Sequence, residues 1–218
     1  MLGYSIISNQ KIFMAMKKVL FILLITTSIL SAQDLQTVFS DSYTYEYKQE
    51  YELAIEELID VYYADSYDLN LRLGWLYHLS GEQIKSVKYY EYAIELMPYS
   101  IEAKLGLVYP LDVMVSWSKV ISVYNEILEI DSNNVLANYS LASIAKNRKE
   151  FEKAKYHLLK IVNFYPSDVE ANLLLAWTFF DMKEIQEAKE VFENVLLISP
   201  EDNSALEGLK KIKATIVK

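Results

Sequence analysis

From about residue 35 to residue 213, apolar and small side chains recur at three- and four-residue intervals, the spacing that gathers them on one face of a helix. The helical stretches come in pairs. Short polar turns such as Ser80-Gly81-Glu82 and Arg148-Lys149-Glu150 divide the members of a pair, and prolines close the second member. Proline stops a helix there because its nitrogen has no proton to donate. Pro98, Pro166 and Pro200 end the phrases AIELMP, VNFYP and VLLISP, 68 and then 34 residues apart, and Ser132 in ILEIDSN falls on the missing beat. The intervals 67–100, 101–134, 135–168 and 169–202 align without gaps. A shorter unit fits 35–66, a last helix fits 203–213, and 214–218 form a tail. The pattern predicts an all-α chain in which one helical hairpin cannot bury its apolar face alone and stacked neighbours complete the core.

The units share side-chain sizes as well as length. The second carries Leu73-Gly74, Tyr77, Ser86, Tyr90, Ala93 and Pro98. The fourth carries Leu141-Ala142, Ala145 in place of the aromatic, Phe151, Ala154, Leu158, Ile161 and Pro166. The fifth carries Leu175-Ala176, Phe179, Ala188, Phe192, Val195 and Pro200. The first keeps Tyr45, Tyr51, Ala54, Leu58 and Val61 without the Leu-Gly pair or the proline. This pattern resembles the tetratricopeptide repeat over residues 35–213. The resemblance implies a right-handed α-solenoid of stacked helix–turn–helix repeats in a single array over 33–213, closed by a capping helix. Gly74, Ala142 and Ala176, with Ser86, Ala154 and Ala188, are expected where helices cross closely, since larger residues there would overpack the contact. Lys210-Lys211-Ile212-Lys213 suits the end of a cap, with cations at a helix C-terminus.

The third unit, 101–134, is degenerate. Gly106 and Pro110 lie within its first helix, where a proline is expected to break or kink the segment, and Trp117 stands in the slot of Tyr51 and Phe151. Trp117 is expected to fill space left by the kink; the alternative is a bend that shapes the binding surface. Either way this unit should be the weakest joint of the array.

In the resembling family the first helices line a concave groove. Carried over by phase, the groove set is Phe39, Tyr43, Tyr47, Leu71, Arg72, Trp75, His78, Tyr109, Tyr139, Asn147, Leu173, Trp177, Phe180 and Asp181. Aromatics and arginine are enriched at the energetic centres of protein interfaces. About half of the set is expected to be solvent-accessible, the rest packing under neighbouring helices. Tyr62, Tyr63, Tyr67, Tyr89, Tyr92 and Tyr99 are assigned to loops and outer faces. The Lys and Asn donors with which some family members grip a C-terminal carboxylate are missing from Phe39, Tyr43, Leu71, Trp75, Tyr139 and Ser143.

Chemistry finds little footing. There is no cysteine, the two histidines, His78 and His157, are 79 residues apart, and no HExxH, GxSxG, phosphate loop or calcium loop occurs. No catalytic residue, metal site or cofactor is assigned. Upstream, Lys17-Lys18 precede the uncharged stretch Val19 to Gln33, which ends in Ser31-Ala32. A basic stub, a short apolar run and a small-residue end describe a signal peptide over 1–32, cleaved after Ala32 or retained as a membrane anchor. Met16 reads as a second start, which would make 1–15 an upstream extension. Removing 1–32 takes away Lys11, Lys17 and Lys18 and no acid, moving the net charge from −9 to −12. So acidic a chain lacks the footprint of a nucleic-acid binder. The reading is an exported scaffold, periplasmic or secreted, that binds a peptide or protein in its groove. The alternatives are an envelope component that assembles through its ends and, third, an enzyme with an unrecognised site.

Overall fold

The computed structural model describes residues 34–216; residues 1–33, with the expected signal peptide over 1–32, and the last two residues lie outside that range. Among the described residues every regular element is a helix: α1 over 34–47, α2 Tyr51–Ile59, α3 Tyr67–Leu79, α4 Gln83–Leu96, α5 Ile101–Val113, α6 Trp117–Ile130, α7 Val135–Asn147, α8 Phe151–Phe164, α9 Val169–Met182, α10 Ile185–Ile198 and α11 Asn203–Ile216. Consecutive helices pack on one another from α2 to α4 and again from α5 to α11. The cap runs three residues beyond the expected 213, taking 214–216 out of the tail. The chain divides into two compact units at Met97 and Pro98. The first gathers Ala54, Leu58, Leu69, Leu73, Leu76 and Tyr77. The second gathers Ala142, Leu158, Ile161, Leu175, Phe179, Phe192, Val195 and Ile212.

The 34-residue period is written in polar chemistry as well as in apolar positions. Ser66, Ser100, Asn134, Asp168 and Asp202 precede α3, α5, α7, α9 and α11, and each side chain accepts a hydrogen bond from the amide three residues on. Such a cap satisfies a free helix donor and contributes about 1 kcal/mol. Buried Asn70, Asn138 and Asn172 tie the turn before each helix: every Nδ2 donates to the carbonyls four and six residues back. In the third repeat Lys104 takes the place of that asparagine and pairs with Glu126 of α6 at 2.5 Å.

The turns inside the hairpins repeat too. Gln49, Gly81, Val115, Lys149 and Lys183 have positive φ, between 56° and 85°. The next amide donates back to the carbonyl five residues earlier, as in Glu82 to Tyr77 and Ser116 to Leu111 at 2.9 Å. This is a Schellman closure. Gly81 meets it without a Cβ, whereas Val115, branched at Cβ, is the least suited residue to a φ of 56°. Val115→Gly should therefore raise stability by about 1 kcal/mol, more than Lys149→Gly does, in urea unfolding of the two variants.

Small residues sit where helices cross. Ala142, Ala154, Ala176 and Ala188 are fully buried, and the Ser86 hydroxyl donates to the Gly74 carbonyl at 2.7 Å. A Cβ on Gly74 would stand 2.9 Å from the Tyr90 ring. The third repeat places buried Val108 and Val120 at these positions, and α5 and α6 pack less closely than the hairpins around them.

The expected break in the third repeat does not occur. Helix α5 runs unbroken through Pro110. The carbonyl that meets a proline ring lies four residues earlier, here on Gly106, whose backbone is the freest to tilt. Trp117 does not fill an internal space either: it opens α6 at 43% exposure. The bulk inside this hairpin comes from the two valines.

Candidate functional site

In the N-terminal unit the residues assigned to the groove form a platform on α1 and α3. Tyr43 and Tyr47 are 57% and 91% exposed. Beneath Tyr43 lies the Arg72 guanidinium, 3.8 Å from the ring centroid, paired with Glu46 and donating from Nε to Ser42. The other oxygen of Glu46 accepts the Trp75 indole N–H at 2.7 Å, and the rings of Trp75 and His78 are 5.7 Å apart. His78 Nδ1 meets Gln83 Oε1 at 3.0 Å. One carboxylate thus holds a cation and an aromatic ring at fixed positions.

This arrangement corrects the role of Arg72. Its side chain is 7% exposed and serves as the internal clamp of the platform, because burying its charge required the partner that Glu46 supplies. Phe39 is also partly withdrawn, packing on the core of its unit, and Leu71 is half-buried.

The C-terminal unit treats its share of the set differently. Tyr109 and Asn147 are exposed, but Tyr139, Leu173, Trp177 and Phe180 rest against the core. Trp177 stands at the phase of Trp75, yet its indole donates forward to Ser204 of α11 at 2.8 Å, and Lys211 of α11 covers its ring at 5.1 Å. The cap helix consumes this tryptophan. Asp181 is paired with Lys146 at 2.7 Å. Of the fourteen residues, Tyr43, Tyr47, Tyr109 and Asn147 are exposed, Arg72 is buried and the others lie between.

Sequence reading missed Glu46, which organises the platform, because one acid on a helix face carries no pattern. The tyrosines set aside as surface cover are organised too. Tyr89 stacks on Tyr77 at 5.2 Å and meets Tyr62 and Tyr92 edge to face, while the Tyr62 hydroxyl donates to Asn70. Burial raises Tyr62 and Tyr89 above the ordinary phenol value.

His157 is packed rather than solvated: its Nδ1 lies 3.0 Å from Asn138 Oδ1. Both protons of the Asn138 amide are spent on carbonyls, so Nδ1 is the donor. Burial holds this imidazole below its ordinary value of 6.5, and Lys160 pushes in the same direction. The folded chain then takes up this proton less readily than the unfolded chain does. Stability contributed here is full above pH 6.5 and falls as pH drops from that value to the folded one. His157→Gln should flatten the decline in urea midpoint between about pH 7 and pH 5, as the wild type and variant titrated side by side would show.

Among the described residues there is no group of three or more His, Cys, Asp or Glu side chains that could hold a metal ion, and no helix is long and apolar enough to cross a membrane.

No curated protein matches the chain in sequence. Solved structures do match its fold. A tetratricopeptide repeat protein from Parabacteroides merdae is 18% identical with a TM-score of 0.70, over 85% of this chain and 75% of that one. MamA is 17% identical with a TM-score of 0.66, over 78% and 94%. YrrB, described as a tetratricopeptide protein with an unusual peptide-binding site, is 14% identical with a TM-score of 0.63, over 79% and 90%. The tetratricopeptide repeat family matches residues 67–99 and 169–202, the second and fifth repeats. The chain thus carries tetratricopeptide repeats at 67–99 and 169–202, and its likeness to the solved structures shows the same fold of helical hairpins around them.

Proposed function

We propose that the chain is an exported, non-enzymatic scaffold that holds a peptide or protein segment against the aromatic platform of its first helices. The observation that carries this reading is the fixing of Tyr43, Arg72 and Trp75 around Glu46, with Tyr43 and Tyr47 left exposed beside them. Rings held in place before a partner arrives lose less side-chain freedom on binding. Aromatic side chains are also the usual anchors of protein interfaces. The peptide-binding site named for YrrB, a chain of the same fold, supports a peptide as the partner. The acidic balance of 18 basic to 30 acidic side chains over 33–218 argues against nucleic acid. Export to the periplasm or the medium rests on the basic stub and apolar run of 1–32.

Capture from the exported fraction of the host tests the proposal. The wild-type chain, with an N-terminus sequenced at Gln33, should retain a partner. Tyr43→Ala/Tyr47→Ala should lose it by roughly tenfold or more while melting close to the wild type, since each ring acts as an interface anchor. Equal retention by a folded double variant would instead favour assembly through the ends of the chain.

A further inference from the structure

Position 77 and its equivalents at 34-residue steps hold Tyr77, Leu111, Ala145 and Phe179. In the second repeat the Tyr77 ring is buried. It stacks on Tyr89 with planes 9° apart, and the Lys85 ammonium lies 4.9 Å over the ring. Sixty-eight residues on, the fourth repeat keeps counterparts of these neighbours: His157 stands at the phase of Tyr89 and Lys153 at that of Lys85. The ring they would enclose is absent, because Ala145 stands there. In its place is a cleft of about 290 Å³, bounded by Leu141, Ile144 and Ala145 of α7, with Arg148, Lys153 and His157 toward α8.

We propose that this cleft is a binding site for a single phenol-type ring presented from outside the chain, occupying the place that Tyr77 occupies in the second repeat. The proposal goes beyond the platform described above and shares no residue with it, so either can fail alone.

The chemistry of the cleft fits that guest. Leu141 and Ala145 are each 6% exposed and give an apolar floor. His157 supplies a planar face whose orientation is fixed by Asn138. Arg148 and the Lys153–Glu150 pair give a charged rim, where a ring hydroxyl can stay hydrogen-bonded. A dry cavity of about 150 Å³ lined by Leu, Ile and Phe is already enough to hold benzene. The larger cleft leaves room for the substituent that joins the ring to whatever carries it. Phe179 holds the equivalent position in the fifth repeat and Leu111 in the third, so alanine at this position is particular to the fourth.

The test is a titration of the full chain with p-cresol, the tyrosine side chain without its backbone, followed by NMR at the Ala145 methyl and the His157 ring. N-acetyltyrosinamide is titrated in parallel. Saturable shifts centred on Ala145, Leu141 and His157, with a Kd of about 1 mM as suits so small a ligand, are expected. Binding of the amide at least as tightly assigns the ring to a partner peptide, and its exclusion assigns it to a free phenol; both support the site. Ala145→Phe should weaken p-cresol by at least about tenfold by filling the space. Ala145→Leu, which copies the residue of the third repeat, should act in the same direction where the larger ring prevents folding. Three results would overturn the proposal: no saturation by p-cresol, an unchanged Kd in folded Ala145→Leu, or equal binding of cyclohexanol, which has no aromatic face.

Discussion

Gly208→Ala should destabilise the C-terminal unit by about 3 kcal/mol, although alanine is the better helix former by about 1 kcal/mol. The reason is the approach of α11 to α10. A Cβ on Gly208 would stand 2.4 Å from two atoms of the Phe192 ring, far inside contact distance. Phe192 has no exposed surface and is met edge to face by Trp177 at 5.0 Å, so the ring has nowhere to retreat. The cap must therefore ride outward, exposing Ala205 and Ile212, both nearly inaccessible in the native chain. Urea unfolding followed by tryptophan emission gives the size of the effect. A variant as stable as the parent would show that the ring can turn within its pocket.

Glu46→Ala should destabilise the N-terminal unit by a comparable amount, about 3 kcal/mol, the lower end of the range for stranding a buried charge. Arg72 would keep its 7% exposure while losing its only carboxylate partner, and its Nη2 already has no hydrogen-bond partner. Glu46 itself is 24% exposed, which places the loss at that lower end. Trp75 loses its acceptor in the same step. Replacing both partners with apolar residues, Glu46→Leu with Arg72→Met, should recover most of the loss, because no unpaired charge then remains. The double-mutant cycle reads the coupling directly. Additive losses would mean that water, rather than Glu46, answers the guanidinium.

Among the described residues the period alone was enough to give the number, order and pairing of the helices. Prolines at 98, 166 and 200 and apolar positions at helical spacing are local features that survive in any tertiary arrangement. The small residues at 74, 142, 154, 176 and 188 were legible for the same reason, since two helices that cross closely admit little else. The caps at 66, 100, 134, 168 and 202 were present in the sequence at the same interval but went unread, because Ser, Asn and Asp are chemically interchangeable there and do not look like a repeat. Four of the five left-handed turn residues were hidden likewise: backbone closure imposes that conformation on Gln49, Val115, Lys149 and Lys183, whose side chains give no sign of it.

Tertiary structure alone decided the fate of the groove residues. Trp75 and Trp177 share a phase, and sequence treats them alike. One is held beside an exposed platform by Glu46 on the preceding helix, and the other is taken by Ser204 and Lys211 on the cap. Helical phase specifies the direction in which a side chain leaves its own helix, but exposure depends on what the neighbouring helix brings to meet it. For Arg72 the same rule turned an expected partner contact into an internal clamp. At Ala145 a missing ring goes with a cleft, lined by Lys153 and His157 at the phases of Lys85 and Tyr89.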